Sequence, residues 1–223
     1  MSNFSWSHSR LKAYSDCPLR FYKTKVEKSI VEPDTEQILW GNRVHKAFEE
    51  NIRDAVPLEP ELSRYNKILD QFKSIPGEHF AEQKFAVDRS YEPVAFDSSD
   101  AWCRCITDLF IVAGNVACAF DWKTGKPKTD HDQLELNALL IFAHYPEVVE
   151  VKTAYVWLKD RKLTKFNFPR SGPGAPSWAR YVTQVGFMQN SYVNNFWPAR
   201  KSGLCKNYCP VTTCKHNGRY TGE

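Results

Sequence analysis

Residues 103–123 of the chain read CRCITDLFIVAGNVACAFDWK. Two runs rich in apolar and β-branched residues flank Ala-Gly-Asn at 113–115, a pattern typical of two antiparallel strands joined by a tight turn. Because side chains alternate between the two faces of a strand, Asp121 and Lys123 lie on one face of the second strand and Trp122 lies on the other. This stretch therefore predicts a hairpin that carries a carboxylate and an ammonium group side by side.

The first strand of this hairpin carries an acidic residue, Asp108, whose neighbours on the same face are Ile106 and Phe110. Two facing carboxylates, Asp108 and Asp121, repel each other unless one is protonated or a cation lies between them. Carboxylate oxygens are ligands that suit Mg²⁺ or Mn²⁺. The same residues also fit a simpler interpretation, in which both acids are ordinary strand-end residues and Lys123 is a solvated partner of one of them.

Hydrophobic periodicity extends this hairpin in both directions into an α/β pattern. The predicted helices are Ser5 or Ser7 to Tyr14, Leu19–Val26, Glu36–Asp54, Glu61–Phe72, Asp132–His144 and Ser177–Asn195. The predicted strands are Phe80–Val87, Trp102–Val112, Val116–Lys123, Lys152–Leu158 and Lys162–Phe168. This order predicts one α/β domain over residues 1–223, with a helical N-terminal part (1–76), a sheet core (77–170) and a C-terminal helix with a cysteine-bearing tail (175–223).

The composition is typical of a folded chain, since 42% of the 223 residues are hydrophobic and 25% are charged. The longest apolar run, Ala138 to Ala143, has only six residues, far fewer than a membrane span needs. Residues 1–12 contain no apolar segment of the signal-peptide type. We therefore expect a cytoplasmic protein that does not enter a membrane.

Charge is distributed unevenly along the chain, although its formal net value is only +4. Residues 151–223 contain 12 Lys or Arg and two acids, whereas residues 1–150 contain 18 Lys or Arg and 24 acids. A basic surplus of this kind attracts the phosphates of nucleic acids. From charge alone, a solubilising surface is the simpler interpretation.

Seven cysteines in a chain expected in a reducing compartment argue against a disulfide framework. Those in strand-like sequence, Cys103, Cys105 and Cys118, are predicted to be buried in the core. The remaining group near the C-terminus lies in a loop after the last predicted helix, where thiols have little packing to do; it consists of Cys205, Cys209 and Cys214. Three such soft ligands predict a metal site that requires a fourth ligand.

Four blocks of sequence occur in an order that resembles the PD-(D/E)XK nuclease superfamily. They are SHSRLKAYSDCPLRF at 7–21, GNRVHKAFE at 41–49, the hairpin acid Asp108 with DWKTGK at 121–126, and QLEL at 133–136. More narrowly, the chain is similar to the RecB-like branch, which includes the AddB nuclease domain, the CRISPR-adaptation nucleases and stand-alone phage exonucleases. The resemblance extends to Cys214 and implies a restriction-endonuclease-like fold, in which helices flank a mixed central sheet.

The resemblance also implies a catalytic ion, Mg²⁺ or Mn²⁺. Its implied ligands are the side chains of His45, Asp108 and Asp121 and the carbonyl oxygen of Trp122. Water on such an ion has a lowered pKa and can attack phosphorus. The implied role of Lys123 is to orient or help deprotonate that water and to stabilise the developing negative charge.

Three further residues are candidates for this site. Gln133 matches the family's glutamine, but the tyrosine that usually follows four residues later is replaced by Asn137. Glu82, in the strand before Asp108, is either a metal-site residue or a surface carboxylate. Glu49 either steers His45 from one helical turn away or simply pairs with Arg53.

Cys17 joins the C-terminal cysteines in this resemblance, because the family's iron–sulfur pattern has one upstream cysteine and three near the C-terminus. The implied ligands of a 4Fe-4S cluster are Cys17, Cys205, Cys209 and Cys214. Many relatives separate the last three by two and then five residues, whereas three and then four residues separate them here. Four thiolates also suit tetrahedral Zn²⁺, and the nearby His216 keeps that alternative open.

The resemblance implies a metal-dependent DNA exonuclease that acts on single-stranded DNA or DNA ends during recombination, repair or phage DNA processing. The sequence contains no helicase phosphate-binding motif of the Gly-x4-Gly-Lys-Ser/Thr type, so unwinding would require a separate helicase or recombination protein. One alternative is a DNA-binding module with an iron–sulfur or zinc centre and a vestigial nuclease site. Another is a structural zinc protein.

Overall fold

The computed structural model describes residues 4–127 and 129–220. These residues form helices and one five-stranded mixed sheet, which confirms the predicted α/β, restriction-endonuclease-like fold class. The helices are α1 (His8–Asp16), α2 (Pro18–Phe21), α3 (Glu36–Asp54), α4 (Asn66–Lys73), α5 (Asp132–His144) and α6 (Ala179–Asn194). The strands are β1 (Glu78–Val87), β2 (Cys103–Ala113), β3 (Val116–Lys123), β4 (Glu150–Trp157) and β5 (Lys162–Pro169).

The chain divides into two compact units. One unit consists of residues 34–178 and contains the whole sheet. The other consists of the residues up to Pro33 and those from Ala179 onward. The single domain inferred from the sequence stays a prediction.

The strands of the sheet follow the order β1-β2-β3-β4-β5. Neighbouring strands are antiparallel except β3 and β4, which are parallel and are connected through α5. A parallel pair needs a long crossover, and the 13-residue helix α5 provides it. This crossover places α5 on the sheet directly after β3, the strand that carries Asp121 and Lys123.

One face of the sheet packs against α3 and α4 through a cluster of buried apolar side chains. Trp122 lies at its centre, and its ring makes edge-to-face contacts with Phe48 at 5.3 Å and Phe72 at 5.0 Å between ring centroids. Aromatic pairs in this geometry stabilise the fold beyond simple area burial. Burial of Trp122 on this face confirms the predicted alternation, because it leaves the side chains of Asp121 and Lys123 on the face toward α5.

The observed elements agree closely with the predicted ones, and α3, β3 and α5 have the predicted bounds. In the predicted helix 61–72, a 3-10 helix over Pro60–Tyr65 precedes α4. In the predicted helix 19–26, α2 is followed by a π-helical turn over Tyr22–Val26. The Thr24 hydroxyl donates to the carbonyl of Arg20 at 2.9 Å. A side chain that takes this acceptor competes with the regular helical hydrogen bond, which accounts for the change of helix type.

The second unit joins the two ends of the chain. The Tyr14 hydroxyl in α1 donates to the carbonyl of Phe187 at 2.9 Å and lies 2.8 Å from the Ser191 hydroxyl, both in α6. Arg10 donates to the Tyr192 hydroxyl at 2.8 Å. The N-terminal helix is therefore held against the last helix by polar contacts between residues more than 170 positions apart.

Within the described parts of the chain, no helix is both long enough and apolar enough to span a membrane.

Candidate active site

The pairing of β1 with β2 places Glu82 opposite Asp108. Ala81 pairs with Leu109 and Gln83 pairs with Thr107, so Glu82 lies at the position opposite Asp108. Glu82 itself has a positive φ of 51°, which is uncommon for a residue with a side chain. The backbone of β1 therefore departs from regular strand geometry at the point where its carboxylate meets that of Asp108.

Helix α3 brings a histidine to these two acids. The Nδ1 atom of His45 lies 3.2 Å from Oδ1 of Asp108. His45, Glu82 and Asp108 each offer one ligand atom, and these three atoms lie within 4.8 Å of one another. Two of the residues that were singled out for a metal site, His45 and Asp108, are thus brought together, and Glu82 joins them.

Asp121 belongs to an adjoining triad with Lys123 and Gln133. The Gln133 amide nitrogen donates to Oδ1 of Asp121 at 2.6 Å, and the Lys123 ammonium donates to the Gln133 amide oxygen at 3.1 Å. The Lys123 nitrogen also lies 2.6 Å from Oδ2 of Asp121, an ion pair without hydrogen-bond geometry. Gln133 therefore fixes both charged side chains of β3 from the first turn of α5.

One hydrogen bond connects the two groups of residues. Asp108 uses Oδ2 to accept the backbone N–H of Trp122 at 2.7 Å, and its other carboxylate oxygen faces His45. The β2–β3 ladder ends at the pair Leu109 and Phe120. Beyond this pair, the carboxylate of Asp108, rather than a backbone carbonyl, accepts the N–H of Trp122. This bond holds Asp108 at the end of the ladder, beside Asp121.

Burial and mutual repulsion perturb the carboxyl groups of the site. Burial, reinforced by the charge of Asp108, raises the pKa of Glu82 to about 7. Burial and Asp108 likewise raise the pKa of Asp121 to about 6, although Lys123 opposes the shift. Burial alone would lower the pKa of His45, but its hydrogen bond to Asp108 and the surrounding negative charge raise it. Crowded carboxylates in such surroundings favour a bound cation, so the donor set fits a divalent metal ion.

The acids open into a surface groove of about 560 Å³, called here the acidic groove. His45, Glu82 and Asp108 line it, together with apolar side chains that include Ile38 and Ile106. A substrate in this groove reaches the carboxylates without a change in the backbone. The acidic groove thus combines ligand atoms with surface suited to a bound molecule.

Glu49 also lines the acidic groove, and its carboxylate forms an ion pair with Arg53, four residues later in α3. This ion pair is the contact that the simpler of the two interpretations of Glu49 predicts.

Asn137 is buried in α5, and within the described residues its amide nitrogen has no hydrogen-bond partner. A side chain buried in this way does not provide the exposed contact with DNA that a phenol could make. The Trp122 carbonyl as a metal ligand stays a prediction.

Sequence reasoning missed Tyr155 in β4. It pairs in register with Asp121 across the parallel ladder, and the Lys123 ammonium lies 5.2 Å from its ring centroid. A cation over an aromatic face is attracted to it. In the sequence, Tyr155 is one apolar residue in a buried strand, so no local signal separates it from core residues.

The four cysteines singled out above all lie in the unit that joins the chain ends. The backbone N–H of Arg200 donates to Sγ of Cys17 at 3.4 Å, and Sγ of Cys205 lies 3.9 Å from the Arg200 carbonyl oxygen. The Asn217 amide donates to the carbonyl oxygens of Cys209 and Val211 at 2.9 and 3.0 Å. The chain therefore brings Cys17 to the cysteine-bearing tail, which its own hydrogen bonds organise.

Among the described residues, the groups whose ligand atoms lie within 4.8 Å of one another do not include three of these cysteines. A shared metal centre of the four cysteines therefore stays a prediction, and so does the choice between a 4Fe-4S cluster and Zn²⁺.

A family model described as the PD-(D/E)XK nuclease superfamily matches residues 5–214. Among solved structures, the crystal structure of SSO0001 is similar over 96% of this chain and 87% of its own, with a TM-score of 0.49 and 12% sequence identity. No curated protein sequence matches the chain.

Proposed function

The chain belongs to the PD-(D/E)XK nuclease superfamily, and from this membership we propose that it is a metal-dependent DNA exonuclease of RecB-like type that hydrolyses phosphodiester bonds at DNA ends. The observation that carries the proposal is the convergence of two groups. His45, Glu82 and Asp108 place ligand atoms within 4.8 Å of one another, and Asp108 binds the backbone beside the Asp121–Lys123 pair.

Mg²⁺ or Mn²⁺ would be held by His45, Asp108, Asp121 and the Trp122 carbonyl, with Glu82 as a further carboxylate. When bound, such an ion balances phosphate charge and makes water a stronger nucleophile at neutral pH. Asp108 has two roles in this site. One of its carboxylate oxygens faces His45, and the other accepts the backbone N–H of Trp122 and so fixes that part of β3.

Lys123 provides positive charge next to these ligands. Its ammonium is held between Asp121 and Gln133 and lies over the ring of Tyr155, so little reorganisation is needed when negative charge develops on a phosphate. It can also orient an attacking water or, in its neutral form, help to deprotonate it by accepting a proton at Nζ. Gln133 is a positioning residue, since it contacts both charged side chains.

The direct test is digestion of end-labelled single- and double-stranded DNA with Mg²⁺ or Mn²⁺. We expect stepwise shortening from an end, little cleavage of covalently closed circles and no cleavage in EDTA. Equal cleavage of circles and linear molecules would contradict an exonuclease. Complete inactivity on all these substrates, with metals and iron content verified, would instead favour a DNA-binding module with a vestigial site.

Gln133 provides a test of the triad. We expect Gln133→Ala to lower kcat by about 10- to 100-fold, the usual cost of removing a partner that orients a metal ligand, while KM for DNA changes little. The matched control is Gln71→Ala in α4, an exposed glutamine. Melting temperatures of both variants show whether the fold is retained. Equal kcat values for the two variants would refute the positioning role.

We further propose that Cys17, Cys205, Cys209 and Cys214 bind one 4Fe-4S cluster, with Zn²⁺ as the alternative. The convergence of Cys17 and Cys205 on Arg200, and the place of all four cysteines in one unit, support this centre. Its place in the unit that joins the chain ends gives it a structural role, separate from the catalytic ligands.

The proposed setting follows from the proposed activity. A nuclease acting on DNA ends serves recombination, repair or phage DNA processing, in a bacterial cytoplasm or in the host cytoplasm if a phage encodes it. A separate helicase or recombination protein would supply single strands.

A further inference from the structure

A second groove, called here the basic groove, adjoins the acidic groove. It has a volume of about 320 Å³. Its lining combines aromatic and cationic side chains and consists of Trp40, Arg64, Tyr65, Thr124, Leu158, Lys159 and Arg161. No acidic residue is among these lining residues.

The fold attaches the basic groove to the end of β3. Thr124, which directly follows Lys123, lines both grooves. The backbone N–H of Leu158 donates to the carbonyl of Lys123 at 3.0 Å, which fixes the start of the β4–β5 turn at this position. A strand whose phosphate lies at the acids can therefore continue past Thr124 into the basic groove.

The cations of this groove are free to bind an anion. Within the described residues, Arg64, Lys159 and Arg161 have no carboxylate within ion-pair distance. The nearby Arg43 differs, because it pairs with Glu59 and Glu61. Unpaired cations gathered on one side of a substrate channel favour a polyanion.

The aromatic side chains narrow the chemical class of that polyanion. The Arg64 guanidinium lies 4.9 Å from the ring centroid of Tyr65 and 5.9 Å from that of Trp40. Trp40 is half-buried, so part of its ring faces the groove. Flat aromatic surface beside cations binds unpaired bases and their phosphates. A space of this size is at the lower end of small-molecule pockets, and it suits a nucleotide or two rather than a duplex.

We propose that the basic groove binds the unpaired strand of the DNA substrate next to the nucleotide at the catalytic acids. Arg64, Lys159 and Arg161 contact its phosphates, and Trp40 stacks on a base. This inference rests on the proposed nuclease function and adds the groove and the side chains that bind the single strand. The enzyme therefore holds DNA whose end is already single-stranded.

The experiment measures binding without cleavage. Fluorescence anisotropy with a labelled 12-nucleotide oligothymidine and a labelled blunt duplex is recorded in EDTA over a series of salt concentrations. The test variants are the double variant Arg64→Gln with Arg161→Gln, and Trp40→Ala. The matched control is Lys67→Gln with Lys165→Gln, which removes two exposed cations of the same unit that lie outside the groove.

The two test variants have different expected signatures. The double arginine variant weakens binding of the single strand and makes the slope of log K against log salt less negative by about 0.7 for each lost phosphate contact. Trp40→Ala weakens binding roughly tenfold without changing that slope, as expected for a lost stacking contact. Trp40→Phe retains an aromatic face and should recover most of the affinity, whereas a folding defect would lower the melting temperature of both Trp40 variants.

Separate results would contradict the role of the basic groove, the preference for an unpaired strand and the nuclease proposal. If the double arginine variant has the affinity and salt slope of its lysine control, the basic groove does not hold the strand. If duplex affinity falls as much as single-strand affinity, the preference for an unpaired strand is wrong. Because binding is measured in EDTA, a wild-type protein that fails to cleave DNA contradicts the nuclease proposal without affecting this measurement.

Discussion

Replacing Asp121 with asparagine or alanine is expected to abolish DNA cleavage while leaving DNA binding largely intact. The carboxylate is buried, contacts Lys123 and Gln133, and lies beside Asp108. Its loss removes a proposed ligand of the metal ion, and we expect cleavage to fall by more than about 10²- to 10³-fold. Binding persists because phosphate contacts elsewhere supply most of the affinity for DNA.

The measurement combines single-turnover cleavage with Mn²⁺ binding followed by calorimetry. Asp121→Asn nearly retains the size of the side chain, so its melting temperature should stay close to that of the wild type. Lys123→Ala should also lose turnover but should retain Mn²⁺ binding, because Lys123 is not a ligand. Asp70→Ala is a matched control, since Asp70 is an exposed acid in α4. Near-normal cleavage by Asp121→Asn, with contaminating nuclease excluded, would refute the proposed centre.

Replacing Cys209 with serine is expected to remove the cluster and destabilise the protein. The proposed ligands lie near both ends of the chain, so their shared centre limits the freedom of the unfolded chain and adds its own binding energy. We expect a fall of about 10 °C or more, since each kcal/mol of stability lost in a chain of this size lowers the melting temperature by about 2–4 °C. Stability should fall before catalytic chemistry does, because the catalytic ligands lie in the other unit.

Protein purified without oxygen provides the measurement. The wild type should be brown and contain iron and acid-labile sulfide, and Cys209→Ser should be bleached. Cys118→Ser is the matched control, because Cys118 is only partly buried in the sheet unit and should leave the iron content unchanged. Stoichiometric zinc without iron would select the tetrahedral alternative. Absence of both metals would show that the shared centre is wrong, and the nuclease proposal would stand on its separate ligands.

Much of the catalytic strand could be predicted because its signals are local. The turn at 113–115 separates two alternating runs, and β3 has the predicted bounds. An acid among apolar neighbours marked Asp108, and Gln133 follows β3 within one short connection. These residues lie within 26 positions of one another, so pattern and spacing are enough to place them on one hairpin and the next helix.

Features without a local signal could not be predicted in this way. The turn over Tyr22–Val26 depends on a hydroxyl that takes a backbone acceptor, a choice that helix propensity does not reveal. Tyr155 has the same apolar pattern as its buried neighbours. Glu49 had two interpretations, and its pair with Arg53 appears only in the folded chain, where Glu49 also lines the groove of His45.

By itself, the sequence determined the α/β order, the faces of β3 and the acidic and cationic residues of the hairpin, because periodicity and turn chemistry act over a few residues. The tertiary structure alone decided that Glu82 faces Asp108, since this depends on strand register. It also decided that Trp40 and Arg64 share a groove with Arg161. Side chains about a hundred positions apart meet only when α3, the segment before α4 and the β4–β5 turn pack around one sheet, and no short-range pattern encodes that packing.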